Sequence, residues 1–183
     1  MKKDNAIQVI YGPGVNLVKD KLDEYIKSGG DGSILIRSPL VGKYVPLTEV
    51  PDDAFASKVL GEGIAVEPDD PFVYAPADGK VIFIYPTKHA IGFICDNGIS
   101  LLIHIGMDTA ELKGKGIEAF VKQGDIVKLG TPLVKMDLDF LRSNTKSIIS
   151  PIIISDLDKD KTVEVVADKH IEYNESVMKI VRK

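Results

Sequence analysis

A chain of 183 residues that is 44% hydrophobic can bury one core of ordinary domain size and still carry an appendage. No apolar run approaches the ~20 residues of a membrane-spanning helix. A net charge of −4, a pI near 5.4 and the lack of a dense basic stripe argue against nucleic-acid binding. The single cysteine, Cys95, excludes an intramolecular disulfide, and the N-terminus MKKDNAIQVIYG has no secretory character, so the expected compartment is the cytoplasm.

In chain order, AIQVIY over 6–11 reads as a short strand. Residues 15–26 read as an amphipathic helix with Val15, Val18, Leu22, Tyr25 and Ile26 on one face. SGGDGS over 28–33 has the composition of a flexible linker. One strand and one helix cannot bury an independent core, so 1–27 reads as the end of something larger, and its unpaired strand invites pairing with a neighbouring chain. From Ile34 onward short strands and turns follow closely: 34–38, 44–47, 63–67, 72–74, 80–85, 91–95, 99–105, 125–128, 133–137, 148–154, 162–166 and 177–181. Two short helices are predicted, over 51–60 and 138–144. Repeated short strands with Gly/Pro punctuation indicate an all-β sandwich or barrel. SPLVGKYVPL (38–47) and APADGKVIFI (75–84) share a Pro-x-x-Gly-Lys core followed by alternating apolar residues, which fits two intertwined β-motifs.

The stretch TKHAIGFICDNGISLLIHIGMD (87–108) holds two of the three histidines, His89 and His104. Asn97-Gly98 is a strong hairpin signal, and a two-residue type I′ loop is expected there. That register pairs Cys95 with Ser100, Phe93 with Leu102 and Ile91 with His104. It puts His89 on the same face as His104, as a diagonal neighbour. Ile94, Leu101, Ile103 and Ile105 then form the opposite, core-facing stripe. A neutral imidazole is a competent nucleophile near pH 7, covalent catalysis divides one difficult transfer into two, and phosphoryl transfer asks mainly for positioning and hydrogen-bond donors. His170, in ADKHIEYNE, sits among charges and reads as a solvated surface residue.

The segments PTKHAIG and LLIHIGMDT, with APADGKV before them and VKQGDIVKLGTPL after, resemble the glucose-type IIA component of the bacterial phosphoenolpyruvate-dependent sugar phosphotransferase system. The likeness runs from about Ser33 to about Ser155. IQVIYGPGVNLVKDKLDEYI resembles the C-terminal strand and helix of the IIB domain that precedes IIA in fused sugar permeases. The resemblance implies an antiparallel β-sandwich of duplicated, barrel-sandwich type over 34–183, with one or two short helices and an N-terminal strand-helix appendage. It implies a IIB remnant over 1–27 and a linker over 28–33. It implies that His104 is phosphorylated by the phosphohistidine of HPr and passes the phosphate to a IIB cysteine, and through IIB to the membrane IIC component that binds the sugar. His89 matches the histidine that contacts the phosphoryl group, Thr87 the threonine that orients it, and Asp108 the aspartate whose charge keeps the phosphohistidine transferable. Phe55, Val59, Leu60, Tyr85, Ile91 and Leu102 stand where the family places docking hydrophobes. Gly106 would let the backbone approach closely. No cofactor is implied and no intrinsic metal, although His89 and His104 could hold zinc with a carboxylate from a partner.

Other readings compete. His104-x-x-x-Asp108 has the form used by lysostaphin-type zinc peptidases on a β-sandwich, but catalytic zinc needs a third protein ligand, and the H-x-H pair that supplies it is missing. GDIVKLGTPLVKMD is similar to biotinyl and lipoyl carrier domains, yet Lys135 falls within a strand-like run rather than on a turn. A purely regulatory or structural binding module predicts that both histidines can be replaced without consequence.

Overall fold

The computed structural model describes residues 32–183. The predicted strand over 6–11, the helix over 15–26 and most of the linker lie outside the described residues. Ile34–Lys183 forms one compact unit. Its strands are β1 (Ile34–Arg37), β2 (Gly42–Val45), β3 (Glu62–Pro68), β4 (Phe72–Tyr74), β5 (Gly79–Ile84), β6 (Ala90–Cys95), β7 (Ser100–His104), β8 (Ile117–Ala119), β9 (Ile126–Val127), β10 (Pro132–Met136), β11 (Ser150–Ile154), β12 (Lys161–Val165), β13 (His170–Ile171) and β14 (Ser176–Arg182). Two short α-helices interrupt them, α1 (Asp53–Ala56) and α2 (Leu138–Asn144). Each opens on an aspartate that bonds its first turn: Asp52 accepts from the Ala54 N–H and Asp137 from the Phe140 N–H. No helix among the described residues is long and apolar enough to cross a membrane.

All described pairings are antiparallel, in an eight-stranded sheet ordered β13-β2-β3-β11-β7-β6-β5-β9 and two three-stranded sheets, β1-β14-β12 and β4-β10-β8. The orders reveal a duplication. Exchanging β13, β2, β3 and β11 with β9, β5, β6 and β7 maps the large sheet onto itself, and the same exchange turns one small sheet into the other. The two copies of Pro-x-x-Gly-Lys open β2 and β5. Their glycines lie against a neighbouring strand so closely that a Cβ would sit 2.2 Å from the Glu67 carbonyl at Gly42 and 2.2 Å from the Ile94 carbonyl at Gly79. The pseudo-twofold passes through the pair Ile103 and Ile152, which face each other across β7 and β11. One copy is inserted within the other, as the sequence echo anticipates.

Strand alternation assigns the large sheet two different faces. Ile64, Val66, Ile91, Phe93, Ile103, Ile152 and Ile154 point inward and join Ile36, Val73, Leu133, Val134, Met178 and Ile180 of the small sheets in the main core. Ala65 and Ile153, from the intervening positions, join Val45, Leu47, Val50, Phe55 and Met107 in a second, smaller cluster on the other face. The chain between β2 and β3, which carries a 3-10 turn at Leu47–Glu49 and then α1, folds over that face.

The central hairpin departs from expectation by one residue. β6 and β7 pair Ala90 with His104, Ile91 with Ile103, Gly92 with Leu102 and Phe93 with Leu101. The loop is Asp96-Asn97-Gly98, closed by Gly98 N–H to the Cys95 carbonyl (2.8 Å) and Cys95 N–H to the Ile99 carbonyl (2.9 Å). Gly98 alone takes positive φ, +87°, so the Asn-Gly pair serves a three-residue loop with a left-handed third residue instead of the type I′ turn. The slip moves Ile91, which is fully buried, to the core face and leaves His104 opposite Ala90. It is the reason Ile91 cannot serve as a docking residue.

Candidate functional site

His104 ends β7 on the outer face of the large sheet, and His89 stands just before β6. The two rings meet edge to face with centroids 5.1 Å apart. The observed register alone would send His89 to the opposite face. His89, however, follows Lys88 in a left-handed turn (φ +60°), outside the regular strand, and its carbonyl still accepts from the Ile105 N–H at 2.7 Å. Phe55 from α1 lies under His104, with ring centroids 5.1 Å apart, and Tyr85 lies 5.1 Å from the ring of His89.

Each imidazole is held through Nδ1. His104 Nδ1 lies 2.8 Å from the Gly106 carbonyl. A carbonyl only accepts, so Nδ1 carries the proton and Nε2 keeps an unprotonated lone pair. His89 Nδ1 lies 2.5 Å from the Thr87 hydroxyl. When that hydroxyl donates, His89 carries its proton on Nε2 and becomes a donor toward the space beside His104. Burial pushes the pKa of His104 below the ordinary histidine value. The neighbouring His89 pushes the same way, while the Gly106 carbonyl and the charge of Asp52 act against them. Burial lowers His89 as well. Both rings are therefore mainly neutral at pH 7, and His104 keeps a free lone pair on Nε2.

The surroundings concentrate left-handed backbone. Lys88, Gly106, Asp108, Lys113, Gly114 and Gly116 all have positive φ, and Lys88 Nζ reaches the Ile117 carbonyl at 3.2 Å. Glycine takes this conformation freely, but at Lys88, Asp108 and Lys113 it persists only where neighbours over-determine it.

The remaining sequence candidates divide. Thr87 is beside His89 as expected. Asp108 is exposed and left-handed at φ +62°, and the carboxylate whose charge reaches His104 is Asp52, a residue absent from the sequence reading. The Pro-Asp-Asp run opening a helix was the signal available for it. Val59 (76% exposed), Leu60 and Tyr85 lie open at the surface, and Leu102 is partly buried. Phe55 is only 6% exposed and supports the His104 ring from below. His170 is exposed, as predicted, but paired: Nε2 lies 2.7 Å from Asp69 Oδ2, and that carboxylate raises its pKa. Lys135 lies within β10 with Nζ 5.8 Å from the centre of the Phe72 ring, unlike a swinging-arm lysine on a turn. Among the described residues, no group of three or more His, Cys, Asp or Glu is arranged to hold a metal.

Comparison with known proteins identifies the family. The family model described as phosphoenolpyruvate-dependent sugar phosphotransferase system, EIIA 1, matches residues 34–160. The glucose-specific EIIA component of the phosphotransferase system of Staphylococcus epidermidis is 45% identical over 149 residues, covering 81% of this chain and 86% of the relative. Its namesake in Staphylococcus aureus strain Mu50 is 46% identical over 132 residues, 72% of this chain and 80% of the relative. The solved structure of glucose permease IIA from Mycoplasma capricolum superposes with a TM-score of 0.76 at 35% identity, covering 82% of this chain and 97% of that one. The zinc-peptidase and purely regulatory readings find no support among these relatives, and membership implies partners among the other components of the system. The chain belongs to the EIIA 1 family of the phosphoenolpyruvate-dependent sugar phosphotransferase system and is a phosphocarrier of that system, a transferase of phosphate.

Proposed function

We propose that Nε2 of His104 takes the phosphoryl group from the phosphohistidine of HPr and gives it to the cysteine of a IIB domain, which delivers it to sugar carried by the membrane IIC component. In the first transfer the bond from phosphorus to the donor nitrogen breaks as the Nε2–P bond forms. The donor imidazole keeps the electron pair. In the second, the IIB thiolate attacks phosphorus and His104 leaves. The observation that carries this reading is the Nδ1 bond to Gly106, which keeps Nε2 unprotonated for attack and retains a proton on the ring, so that neutral imidazole rather than imidazolate departs. His89, oriented by Thr87, donates from Nε2 to an equatorial oxygen of the phosphoryl group. The charge of Asp52, which reaches His104, discourages tight retention of the phosphate, and Val59, Leu60, Tyr85 and Leu102 give partners an apolar seat.

In this reading residues 34–183 are the IIA domain, 28–33 a linker and 1–27 the remnant of a IIB domain, and the protein works in the cytoplasm. The glucose-specific relatives favour a glucose-class sugar. The test is incubation with phosphoenolpyruvate, enzyme I and HPr, followed by intact-mass measurement. Wild type should gain one acid-labile phosphate and His104→Ala none, while His89→Ala should accept phosphate but donate it poorly to IIB. A wild-type protein that stays unphosphorylated would sink the proposal.

A further inference from the structure

Every polar backbone group in the two peptides that join Ile105, Gly106 and Met107 has a partner, and two buried hydroxyls supply half of them. In the 105–106 peptide, Thr109 Oγ1 donates to the Ile105 carbonyl (2.5 Å) and the Gly106 N–H donates to Ser150 Oγ (3.0 Å). In the 106–107 peptide, the Gly106 carbonyl accepts from His104 Nδ1 (2.8 Å) and the Met107 N–H donates to the Ser147 carbonyl (2.7 Å). Thr109 and Ser150 are completely buried, so water cannot replace either hydroxyl. The polarity at Ser150 is fixed, because its own proton goes to the Ile148 carbonyl at 2.9 Å and only its lone pairs face Gly106.

We propose that Ser150 and Thr109 are positioning residues for phosphoryl transfer. By clamping the 105–106 peptide, they fix the direction of the next carbonyl, which holds the proton on Nδ1 of His104 and leaves Nε2 free. Neither touches the phosphoryl group; both act through Gly106. The clamp matters because Gly106, at φ +58°, has no side chain to restrict it, so the peptide that follows is otherwise held by the Met107 bond to Ser147 and the weak pull of His104 itself. Once that carbonyl turns away, nothing selects which ring nitrogen of a neutral His104 bears the proton. Ser150 belongs to β11 and His104 to β7, so the clamp ties the site loop of one copy of the fold to a strand of the other. The proposal rests on the reading of His104 as nucleophile, and its test has a readout independent of phosphorylation.

The experiment is ¹⁵N NMR of the histidine rings in wild type, Ser150→Ala, Thr109→Val and Thr109→Ser, beside the initial rate of phosphate acceptance from phospho-HPr. Wild type and Thr109→Ser, which keeps the donor, should show His104 protonated on Nδ1. Ser150→Ala and Thr109→Val should show a growing Nε2–H population. Their maximal rate should be about tenfold lower, the ratio corresponding to one lost hydrogen bond of ~1.4 kcal/mol, with KM for phospho-HPr unchanged. Folded Ser150→Ala and Thr109→Val proteins with the wild-type tautomer and rate would overturn the proposal. If Ser150→Ala does not fold, the near-isosteric Thr109→Val against Thr109→Ser decides. Wild-type His104 protonated on Nε2 overturns it without any variant. A wild type that shows the Nδ1–H tautomer yet accepts no phosphate defeats the carrier reading instead, and the tautomer in Thr109→Val still decides the clamp.

Discussion

Replacing Gly106 by alanine should damage stability and chemistry together. Its φ of +58° is a conformation that costs an L-residue about 1–2 kcal/mol. The new Cβ would lie 2.8 Å from the Ser147 carbonyl oxygen and 2.9 Å from Thr109 Cγ2. Neither neighbour can retreat freely, since Ser147 is bridged to Met107 and Thr109 is buried and bonded to Ile105. Overpacking of this kind costs about 1–3 kcal/mol. The expected loss is therefore about 2–5 kcal/mol, from a stability that for a domain of this size is about 5–15 kcal/mol. Any relief requires moving the segment from Ile105 to Met107 and lengthens the bond from His104 Nδ1 to the Gly106 carbonyl, so phosphate acceptance should fall in the protein that remains folded. Urea denaturation at constant m-value reads the first effect and acceptance from phospho-HPr the second. The double variant Gly106→Ala/Thr109→Ser should recover only part of the stability, because the Ser147 oxygen still stands in the way. A Gly106→Ala protein within about 0.5 kcal/mol of wild type, with normal acceptance, would refute the argument.

Acidification should destabilise the folded protein through the site histidines. Burial holds His104 and His89 below their unfolded pKa of about 6.5, so between that value and the lower folded ones the unfolded chain binds more protons and stability falls as pH falls. Thermal melts between pH 7.5 and 5 should show this decline, and His104→Gln should flatten it; an unchanged slope would count against the burial argument. His170 has the opposite sign, because the bond to Asp69 raises its folded pKa, and its contribution is present below about 6.5 and lost as pH rises through the folded value. On the surface, Val59→Asp should melt within about 0.5 kcal/mol of wild type yet raise KM for phospho-HPr. Ile91→Ala should do the reverse, losing about 2–5 kcal/mol to a core cavity with KM unchanged, which separates core packing from docking by denaturation and kinetics on one pair of variants.

Much of this was legible before any coordinate, and what escaped did so for identifiable physical reasons. Helix α2 begins and ends where the residues predicted, at Leu138 and Asn144, because Asp137 caps it and an apolar strand run precedes it. The second predicted helix shrank from 51–60 to Asp53–Ala56, since Lys58 takes a left-handed conformation and ends the turn. Ile117–Ala119 and His170–Ile171 were invisible as strands: pieces this short have no period to read and exist because β10 and β2 offer them ladders. The strongest local signal misled by one residue, because Asn-Gly suits both a two-residue loop and the end of a three-residue loop, and only the core pattern of both strands distinguishes them. Ile91, with Ile103 opposite, belongs to that pattern. The histidines meet as expected but not for the reason expected: the observed register would part them, and the left-handed turn at Lys88 brings His89 back beside His104. The bond that sets the tautomer of His104 was not legible, because it depends on a carbonyl turned by the positive φ of Gly106, in a loop with no period to read.

The duplication explains why such a site needs the whole fold. The ladders anchored at Gly42–Pro68 in one copy and Gly79–Cys95 in the other run in step, so Ala90 with His104 corresponds to Gly63 with Ile153. The position matching His89 holds Glu62, which pairs with Lys58 at the surface. One copy thus carries chemistry where the other carries packing, and the difference arises in the connections. Between β5 and β6 the chain makes a tight turn that presents the half-buried Thr87 and His89. Between β2 and β3 it makes the longer excursion through α1, which covers Ile153 and carries Phe55 to the ring of His104 and Asp52 within electrostatic reach of it. A lone copy would have His104 without the floor beneath it or the Ser150 hydroxyl behind its loop. The pseudo-twofold brings a bare strand end from one copy against the covering loop of the other, and a half-buried, neutral, oriented imidazole exists only where those two meet.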